Sequence, residues 1–225
     1  MNIIKAKERG LLIVISGPSG AGKGTVCQKL IESNSNIWLS VSCTSRKPRK
    51  GDMEGKTYYF LSREEFETKI KNDELLEYAE YNGNYYGTPK DKISELLDKG
   101  IDVLLEIEVQ GAKKVKEMVQ EALFIFILPP TMDELKRRLT NRGTEDEEKI
   151  LKRFKTAYQE INELSKYNYV IVNDEVDEAV HKIESIITSE KCRVDRIEEV
   201  FVNSSEEEMH ELLMDKEFDN SVHEL

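Results

Sequence analysis

The sequence predicts an α/β fold in which helices cover a parallel core sheet. Three observations lead to this prediction. Four short apolar runs are typical of strands buried on both faces, each run is followed by a helical pattern, and a glycine-rich loop joins the first run to the first helix. The four runs are residues 11–15, 103–107, 123–128 and 169–172.

The first element of this fold is the glycine-rich loop that follows the run 11–15. It carries the pattern GxxxxGK at Gly17, Gly22 and Lys23, and a helical pattern begins near Val26. Glycines let successive backbone N–H groups point at phosphate oxygens, and the helix N-terminus and the lysine add positive charge. The loop predicts a nucleoside triphosphate site, and a plain strand-to-helix turn is the alternative.

The next segment, residues 37–97, breaks the alternation of strands and helices and predicts a small mixed insert on the core sheet. One helix of the insert begins at the capping-box pair Ser62 and Glu65. The dipeptide Asn82-Gly83 predicts a hairpin between the strands on either side of it. The short strand candidates of the insert are residues 40–42, 58–61, 75–81 and 85–86.

A basic loop inside the insert predicts an anion site. Residues 46–50 contain four cations, and Pro48 stiffens the segment. Guanidinium groups such as those of Arg46 and Arg49 bind phosphate through paired N–H donors. A solvated basic loop is the alternative, and the phosphate-binding pattern elsewhere in the chain favours the anion site.

The predicted hairpin combines the carboxylate of Glu77 with phenolic and hydroxyl groups. A carboxylate accepts paired N–H groups such as N1–H and the exocyclic amine of guanine, while phenols and hydroxyls donate to phosphate. Tyrosines in a hairpin are also common packing residues, so packing is the alternative for Tyr58 and Tyr86.

Two carboxylates, Glu106 and Glu108, follow one another at the end of the apolar run 103–107. Parallel α/β sheets bind ligands at the carboxyl ends of their strands. Since burying a charge is costly unless the charge is paired, these carboxylates predict a functional edge of the sheet.

A second insert, residues 137–153, carries arginines that could close over transferring phosphates and neutralise their charge. An amphipathic helix with a solvated basic face is the alternative.

Capping patterns predict where several helices begin and end. The pairs Thr131 with Glu134 and Thr144 with Glu147 each predict a helix start. Thr88 before Pro89 predicts another start, and Gly100 predicts the end of that helix.

The composition limits the classes of partner. The net charge of the 225 residues is −11, and residues 190–225 alone carry four Lys and Arg against twelve Asp and Glu. This balance argues against non-specific nucleic-acid binding. No apolar run has the length of a membrane span or a signal peptide, so we expect neither membrane nor nucleic acid as a partner and a cytoplasmic location.

The cysteines and histidines exclude further kinds of site. Cys27, Cys43 and Cys192 form no CxxC pair, so the sequence predicts reduced thiols rather than a zinc site or a disulfide framework. The three histidines all lie late in the chain, away from the motifs, which argues against histidine catalysis. The acidic tail predicts one peripheral helix, which begins at the pair Ser205 and Glu208.

Taken together, these motifs resemble the guanylate kinase family over about residues 11–189. The glycine-rich loop, the basic loop and the segments EYAEYNGNYYGT, LEIEVQG, RLTNRGT and VIVND occur in that family's order and spacing. The resemblance implies a P-loop nucleoside monophosphate kinase fold with a parallel core sheet, flanking helices, a small mixed GMP-binding insert and a helical lid. It also implies that ATP and GMP give ADP and GDP, with Mg²⁺.

The resemblance implies a division of the chain into core, insert, lid and tail. The implied segments are the core start with the P-loop (1–36), the GMP-binding insert (37–97), the core (98–136), the lid (137–153), the end of the core (154–189) and the acidic tail (190–225).

The resemblance also implies roles for individual residues. The implied ATP contacts are Gly17, Pro18, Ser19, Gly20, Ala21, Gly22, Lys23, Gly24, Thr25 and Asn173. The implied GMP contacts are Ser42, Arg46, Arg49, Tyr58 and Tyr86 at the phosphate, and Glu77, Thr88 and Glu108 at the guanine. The implied catalytic cations are Lys23, Arg46, Arg138, Arg142 and Arg153, and the implied metal contacts are Thr25 and Glu106, directly or through water.

Two departures from the family pattern concern the metal. Many members have Ser or Thr where this chain has Gly24, and Asp is common where it has Glu106 and Glu108. The hydroxyl of the loop stands one residue later, at Thr25. Thr25 is therefore one candidate metal ligand, and a metal held by phosphates and water is the other possibility.

Two other functions remain as alternatives. Guanylate-kinase-like interaction modules keep the fold but lose phosphate-binding residues, whereas this chain retains Lys23 and the loop glycines. A kinase of another nucleoside monophosphate would share the fold, but the set Glu77, Thr88 and Glu108 favours guanine. The sequence does not indicate an oligomeric state.

Overall fold

A computed structural model describes residues 4–6, 9–49, 51–81, 83–140 and 147–200. The chain divides into two units. The larger unit is Glu8–Ile187, and the smaller one combines Met1–Lys7 with Thr188–Leu225.

The larger unit is built on a five-stranded parallel sheet, as predicted. Its strands are β2 (Leu12–Ser16), β3 (Ile37–Leu39), β8 (Asp102–Glu106), β9 (Leu123–Leu128) and β10 (Tyr169–Val172). Their order across the sheet is β10-β9-β2-β8-β3, and every pairing is parallel. The predicted bounds of β9 and β10 are confirmed, and those of β2 and β8 differ by one residue.

Helices cover both faces of this sheet because its strands are apolar on both faces. Ile13 and Ile15 belong to one buried cluster, whereas Leu12 and Val14 belong to another, as expected when successive side chains point to opposite faces. The first cluster includes residues of α1 (Lys23–Ser33) and α7 (Val176–Lys191), and the second includes residues of α3 (Lys90–Asp98) and α4 (Val109–Met118).

The predicted insert contains a second sheet of four short strands in the order β5-β4-β7-β6. These strands are β4 (Cys43–Thr44), β5 (Tyr59–Phe60), β6 (Leu75–Tyr81) and β7 (Asn84–Pro89), and the helix α2 (Arg63–Lys71) lies between β5 and β6 in the chain. The antiparallel pairing of β6 with β7 confirms the hairpin, and Gly83 in its turn has φ 74°. Ser62 and Glu65 form the predicted capping box of α2.

Both ends of the predicted insert, however, lie in the core. Residues 37–39 form β3, which pairs with β8, and no strand forms over 40–42. The helix α3 buries Ile93, Leu96 and Leu97 in the core cluster. Three residues are too few for a period to reveal β3 in the sequence, and α3 follows the insert without a break.

The start of α3 also differs from the prediction. Thr88 is the penultimate residue of β7 rather than a helix cap, and Pro89 is the residue that precedes α3. The end is as expected, because Gly100 has φ 76° and its N–H donates to the Leu97 carbonyl. The Ile101 N–H donates to the Leu96 carbonyl, which completes a Schellman motif.

The predicted second insert begins and ends in helices. These are α5 (Met132–Thr140) and α6 (Glu147–Ile161), and a single turn of 3₁₀ helix, Leu164–Lys166, precedes β10. The Thr131 hydroxyl accepts a hydrogen bond from the Glu134 N–H at 3.0 Å, as its capping role requires. Thr144 lies outside the described residues, so its capping pair with Glu147 stays a prediction.

The smaller unit contains a two-stranded antiparallel sheet that the sequence does not predict. Its strands are β1 (Ile4–Ala6) and β11 (Ile197–Val200), and a turn of 3₁₀ helix, Val194–Arg196, precedes β11. The helix predicted to begin at Ser205 lies outside the described residues. Among the helices of the described residues, none has the length and apolarity that a membrane span requires.

The buried carboxylate of Asp102 gives a test of how the core sheet is held. Its Oδ1 accepts a hydrogen bond from the Leu11 N–H at 2.9 Å, and the residue is fully buried. Asp102→Ala leaves that N–H without its partner, so we expect the free energy of unfolding to fall by about 1–3 kcal/mol. Urea unfolding at neutral pH measures the loss.

Asp98→Ala is the matched control, because Asp98 pairs with Arg9 and both side chains are exposed. Its expected loss is below about 1 kcal/mol. Equal losses in the two variants would contradict a structural role for the buried carboxylate.

Candidate active site

The glycine-rich loop connects the carboxyl end of β2 to the first turn of α1. Gly17, Gly20 and Gly22 have φ values of 149°, 91° and 90°, which side chains rarely allow. The loop is also closely packed, since a Cβ at Gly17 would lie 2.2 Å from the Ile127 carbonyl oxygen. The conformation and the close packing of the loop therefore account for its glycines.

Lys23, the first residue of α1, lies buried within this loop. Its Nζ donates to the Gly17 carbonyl at 2.6 Å and to the Pro18 carbonyl at 3.3 Å. The same nitrogen lies 3.9 Å from an oxygen of Glu108, whose side chain is exposed. The ammonium group is thus held beside the loop, where a phosphate chain would be bound.

Two residues from distant parts of the chain hold the loop at the Ala21 carbonyl. The Asn173 Nδ2 donates to it at 2.8 Å, and the Arg138 Nη1 donates at 3.3 Å. Asn173 is buried, and a Cβ at Gly22 would lie 2.3 Å from its Nδ2. Asn173, which the resemblance places beside the adenine, therefore contacts the loop itself.

Arg138 reaches the loop from α5, and Glu134 orients it. Its Nε donates to a Glu134 oxygen at 2.7 Å, and its Nη2 donates to the Asn173 carbonyl at 3.3 Å. The neighbouring Arg137 binds the same carboxylate but has an exposed side chain. Hydrogen bonds from both guanidinium groups lower the pKa of Glu134 to about 2, so the carboxylate stays charged.

Arg153 brings α6 to the same loop. Its Nη2 donates to the Ser19 hydroxyl at 2.8 Å. Arg142 lies outside the described residues, so its role as a lid residue stays a prediction. Two of the three predicted lid arginines therefore contact the glycine-rich loop.

The acidic edge of the site lies at the carboxyl end of β8. A Cβ at Gly24 would lie 3.4 Å and 3.8 Å from the two carboxylate oxygens of Glu106. Glu106 is exposed by more than a third, but partial burial of its carboxyl group still raises the pKa of that group. The positive charge of Lys23 lowers this pKa, and the negative charge of Glu108 raises it further. Thr25 is exposed on the same turn of α1 as Gly24.

The basic loop of the insert is held in place by an aspartate. Asp52 forms a salt bridge with the Arg46 Nη1 at 2.9 Å, and both side chains are largely buried. The same oxygen, Oδ2, accepts a hydrogen bond from the Arg49 N–H at 2.7 Å. The hydrogen bond from Arg46 and the bond from the Arg49 backbone hold the pKa of Asp52 below its usual range. The carboxylate thus fixes the direction of Arg46, while the Arg49 side chain is exposed.

Aromatic rings line the same loop. The Tyr58 and Tyr86 rings meet edge to face with centroids 5.9 Å apart, and the Arg46 guanidinium lies 5.4 Å from the Tyr58 centroid. Burial raises the pKa of Tyr58, so its hydroxyl stays a donor. Ser42 lies next to β4, and its carbonyl accepts from the Tyr59 N–H. The Arg46 guanidinium and the rings of Tyr58 and Tyr86 therefore lie together, and we call these three side chains the Arg46 cluster.

The carboxylate of Glu77 lies on β6, opposite Thr88 of β7. The Thr88 hydroxyl donates to a Glu77 oxygen at 2.8 Å, and Thr88 is buried. A Cβ at Gly111 of α4 would lie 3.2 Å from the other Glu77 oxygen. Burial raises the pKa of the Glu77 carboxyl group. The hydrogen bond from Thr88 and the positive charge of Lys114 lower this pKa and so offset part of the rise.

Three residues of the site were not found by sequence reasoning. Asp52 orients Arg46, Glu134 orients Arg138, and Gly111 makes room for Glu77. Glu134 carried a signal as half of a capping pair, and Gly111 ends the LEIEVQG segment, but neither pattern indicates these contacts. Asp52 has no signal in the sequence beyond its charge.

Comparisons with known proteins identify relatives of this chain. The family model described as guanylate kinase matches residues 9–190. A guanylate kinase of Clostridium tetani is 62% identical over 92% of this chain and 100% of its own length, and one of Clostridium acetobutylicum is 58% identical over 92% and 99%. The crystal structure of guanylate kinase from Anaplasma phagocytophilum has a TM-score of 0.69 and 40% identity, and the match covers 86% of this chain and 92% of that chain.

The environment of Glu77 predicts how its replacement changes stability with pH. A carboxyl group whose pKa is raised on folding binds its proton more tightly in the folded chain. Its contribution to stability is therefore present below the unfolded value of about 4.5 and is lost as the pH rises through the folded pKa. We expect wild type to lose stability relative to Glu77→Gln as the pH rises from about 4.5 toward neutrality.

Urea unfolding of both proteins across this range measures the difference in free energy. Glu80→Gln, on an exposed position of the same strand, controls for exchanging a carboxylate for an amide. A relative gain in wild-type stability with rising pH would contradict the expected sign.

Proposed function

The chain belongs to the guanylate kinase family, and we propose that it transfers the γ-phosphoryl group of ATP to GMP, giving ADP and GDP. The observation that carries this proposal is that one unit contains the glycine-rich loop 17–25 with Lys23 buried in it, the Arg46 cluster of the insert and the Glu77–Thr88 pair. We assign the ATP phosphates to the loop and GMP to the insert.

We assign guanine recognition to Glu77 and Thr88, with Glu108 at the same edge. A carboxylate accepts both N1–H and the exocyclic amine of guanine, whereas adenine has no such pair of donors. The Thr88 hydroxyl holds one Glu77 oxygen at 2.8 Å, which limits the rotation of the carboxylate. Because Glu77 is largely desolvated, an unsuitable base would leave its charge unpaired, which is costly.

We assign the GMP phosphate to the Arg46 cluster and the polar residues beside it in the insert. Its contacts would come from Ser42, Arg46, Arg49, Tyr58 and Tyr86. The Asp52 salt bridge keeps Arg46 oriented before the phosphate arrives, so less ordering remains to be done on binding.

Phosphoryl transfer needs alignment and charge neutralisation more than covalent chemistry. The phosphate oxygen of GMP is itself the nucleophile, so no protein nucleophile is required. Lys23, Arg138 and Arg153 lie at the loop that would hold the ATP phosphates, and we propose that they neutralise the charge of the transferring group. Arg142 would join them from the segment between α5 and α6. The lid that the resemblance implies, residues 137–153, would exclude water, which otherwise competes as the phosphoryl acceptor.

The residues present fit a magnesium ion that is held mainly by phosphates. Mg²⁺ prefers oxygen ligands and binds through one or two carboxylates together with substrate phosphates and water. The described residues contain no group of three or more His, Cys, Asp or Glu that could hold a metal by itself. Glu106 and Thr25 would contact the ion or its waters, and the bound ion would neutralise charge on the β- and γ-phosphates.

The retained cations favour an enzyme over an interaction module. A module without catalysis has no need for a buried lysine within the loop or for Arg138 at the Ala21 carbonyl. We propose the cytoplasm as the location, since unpaired cysteines suit a reducing compartment and Cys27, Cys43 and Cys192 are all unpaired.

A panel of nucleoside monophosphates tests this function. With ATP and Mg²⁺, we expect kcat/KM for GMP to exceed that for AMP, UMP or dTMP by at least about 100-fold.

Glu77→Gln tests the residue assigned to guanine. The substitution should lower kcat/KM for GMP by about 10- to 100-fold, which corresponds to the loss of one charged hydrogen bond, and it should change the KM of ATP far less. Coupled ADP release measures both.

Two outcomes would contradict the proposal. If another monophosphate reacted faster than GMP, that monophosphate would be the preferred substrate. If no member of the panel reacted, the interaction module would be favoured. If Glu77→Gln impaired the use of GMP and of ATP equally, Glu77 would not be a guanine-recognition residue.

A pair of neighbouring arginines tests the proposed role of the lid. Arg138 contacts the Ala21 carbonyl, whereas Arg137 has the same charge and the same Glu134 partner but is exposed. We expect Arg138→Ala to lower kcat by about 10³- to 10⁵-fold, as for other arginines that stabilise a transferring phosphoryl group. Arg137→Ala should change kcat by less than about threefold, because its charge is exposed and screened by solvent and salt.

Steady-state kinetics under saturating ATP and GMP give both values. Similar losses in the two variants would show that net charge, rather than contact with the loop, is what matters. Circular dichroism and thermal unfolding confirm that each variant is folded.

A further inference from the structure

Arg46 of the Arg46 cluster is held at its backbone as well as at its side chain. Its N–H donates to the Thr44 hydroxyl at 3.1 Å, while its guanidinium group pairs with Asp52 at 2.9 Å. Thr44 is fully buried, so its hydroxyl has no contact with solvent. The direction in which Arg46 leaves β4 therefore depends on where the Thr44 hydroxyl is fixed.

The neighbouring strand fixes the Thr44 hydroxyl. This hydroxyl donates to the Tyr85 carbonyl of β7 at 2.8 Å, so it donates one hydrogen bond and accepts another. The strand β4 ends at Thr44, which lies opposite Tyr86. Ser45 continues the contact with β7, because its N–H donates to the Tyr85 carbonyl at 3.0 Å and its hydroxyl accepts from the Tyr85 N–H at 2.8 Å. The residue before Arg46 and the residue before Tyr86 are thus bonded to each other.

Tyr85 itself is held by the helix α2. Its ring stacks on the buried Phe66 ring, with centroids 5.2 Å apart and an angle of 20° between the planes. The Arg63 guanidinium lies 4.5 Å from the centroid of the Tyr85 ring, and its Nη2 donates to the Tyr85 hydroxyl at 3.1 Å. Both the ring and the backbone of Tyr85 are therefore held, so its carbonyl gives the Thr44 hydroxyl a fixed partner.

The Thr44 hydroxyl connects the two parts of the chain that carry the Arg46 cluster on either side of this contact. Arg46 follows β4, and Tyr86 belongs to β7 next to Tyr85. A valine at residue 44 has nearly the same shape but no hydroxyl, so it would leave the Arg46 N–H without its partner and loosen the backbone of Arg46. The Asp52 salt bridge would then hold the guanidinium group from a less firmly fixed backbone.

We propose that Thr44 is a positioning residue for the phosphate of GMP, because its hydroxyl sets the position of Arg46 relative to Tyr86. Since Thr44 is fully buried, it acts through Arg46 and does not touch the phosphate. Charged hydrogen bonds weaken as their distance and angle depart from the optimum, so a displaced guanidinium group binds a phosphate less tightly. The inference rests on the proposed function, which assigns that phosphate to the Arg46 cluster.

A comparison of GMP with guanosine isolates this contribution, because the two ligands differ only in the phosphate. Isothermal calorimetry gives the Kd of GMP, and displacement of GMP gives the Kd of guanosine. The ratio of the guanosine Kd to the GMP Kd measures what the phosphate adds to affinity. Neither ligand reacts without ATP, so the readout does not require turnover. ADP binding, measured on the same samples, reports the state of the glycine-rich loop.

The variants are Thr44→Val, Thr44→Ser and the matched control Thr68→Val. The Thr68 hydroxyl donates to the Glu64 carbonyl at 2.8 Å, at an exposed position of α2 in the same insert. We expect Thr44→Val to lower the ratio by about tenfold, the size of one weakened charged hydrogen bond. Thr44→Ser keeps the hydroxyl, so its ratio and that of Thr68→Val should stay within about threefold of wild type. The Kd values of guanosine and ADP should change by less than about threefold in every variant.

Ser45→Ala gives a second test that serves if Thr44→Val does not fold. It removes the hydroxyl that accepts from the Tyr85 N–H, at a half-buried position, and leaves the hydrogen bonds of Thr44 in place. Because Tyr85 then holds Thr44 less firmly, we expect a smaller decrease of the ratio, about threefold to fivefold. If Thr44→Val did not fold, an unchanged ratio in Ser45→Ala would overturn the proposal.

Three outcomes with folded Thr44→Val would also overturn it. These are an unchanged ratio, equal losses of GMP and guanosine affinity, which a purely structural residue would give, and a Thr44→Ser variant as impaired as Thr44→Val. Wild-type protein that binds no GMP would overturn the proposed function itself. Wild type that binds GMP, together with an unchanged ratio in Thr44→Val, would overturn this inference alone.

Discussion

The site depends on how closely the backbone of the glycine-rich loop approaches the strands beside it. A Cβ at Gly17 would lie 2.2 Å from the Ile127 carbonyl oxygen, and a Cβ at Gly22 would lie 2.3 Å from the Asn173 amide. There is therefore no room for a side chain at either position, and Ile127 of β9 and Asn173, the residue after β10, lie against the loop. Lys23, Arg138 and Arg153 each donate hydrogen bonds to this loop.

Carboxylates organise the cations throughout this site. Asp52 orients Arg46, Glu134 orients Arg138, and Glu108 lies near Lys23. Asp52 and Glu134 each hold a guanidinium group in one direction, whereas Glu108 adds negative charge near Lys23, which the loop carbonyls hold. An overall charge of −11 is therefore compatible with binding polyphosphate, because charges beyond a Debye length of about 8 Å are screened.

The sequence was most informative where local signals agree with the tertiary structure. The strands β2, β8, β9 and β10 lie in the parallel sheet that helices cover on both faces, so each strand forms a continuous apolar run that can be recognised in the sequence itself. The glycine-rich loop and the hairpin turn at Gly83 likewise depend on local backbone conformation. The predicted start of α3 was wrong because the Thr88 hydroxyl donates to Glu77 instead of capping the helix. Glu77 lies on another strand, and no local pattern indicates this partner. The contact of Gly111 with Glu77 and the bond from Asp52 to Arg46 are equally products of tertiary packing.

The direct passage from β7 into α3 has a mechanical consequence. Thr88 and Pro89 end the strand, Lys90 begins the helix, and the apolar face of α3 is anchored in the core through Ile93, Leu96 and Leu97. No residue separates β7 from α3 at this junction, because Pro89 ends the strand and Lys90 begins the helix. If the insert rotates relative to the core, the backbone at Pro89 and Lys90 must change conformation at this end or α3 must move with the strand.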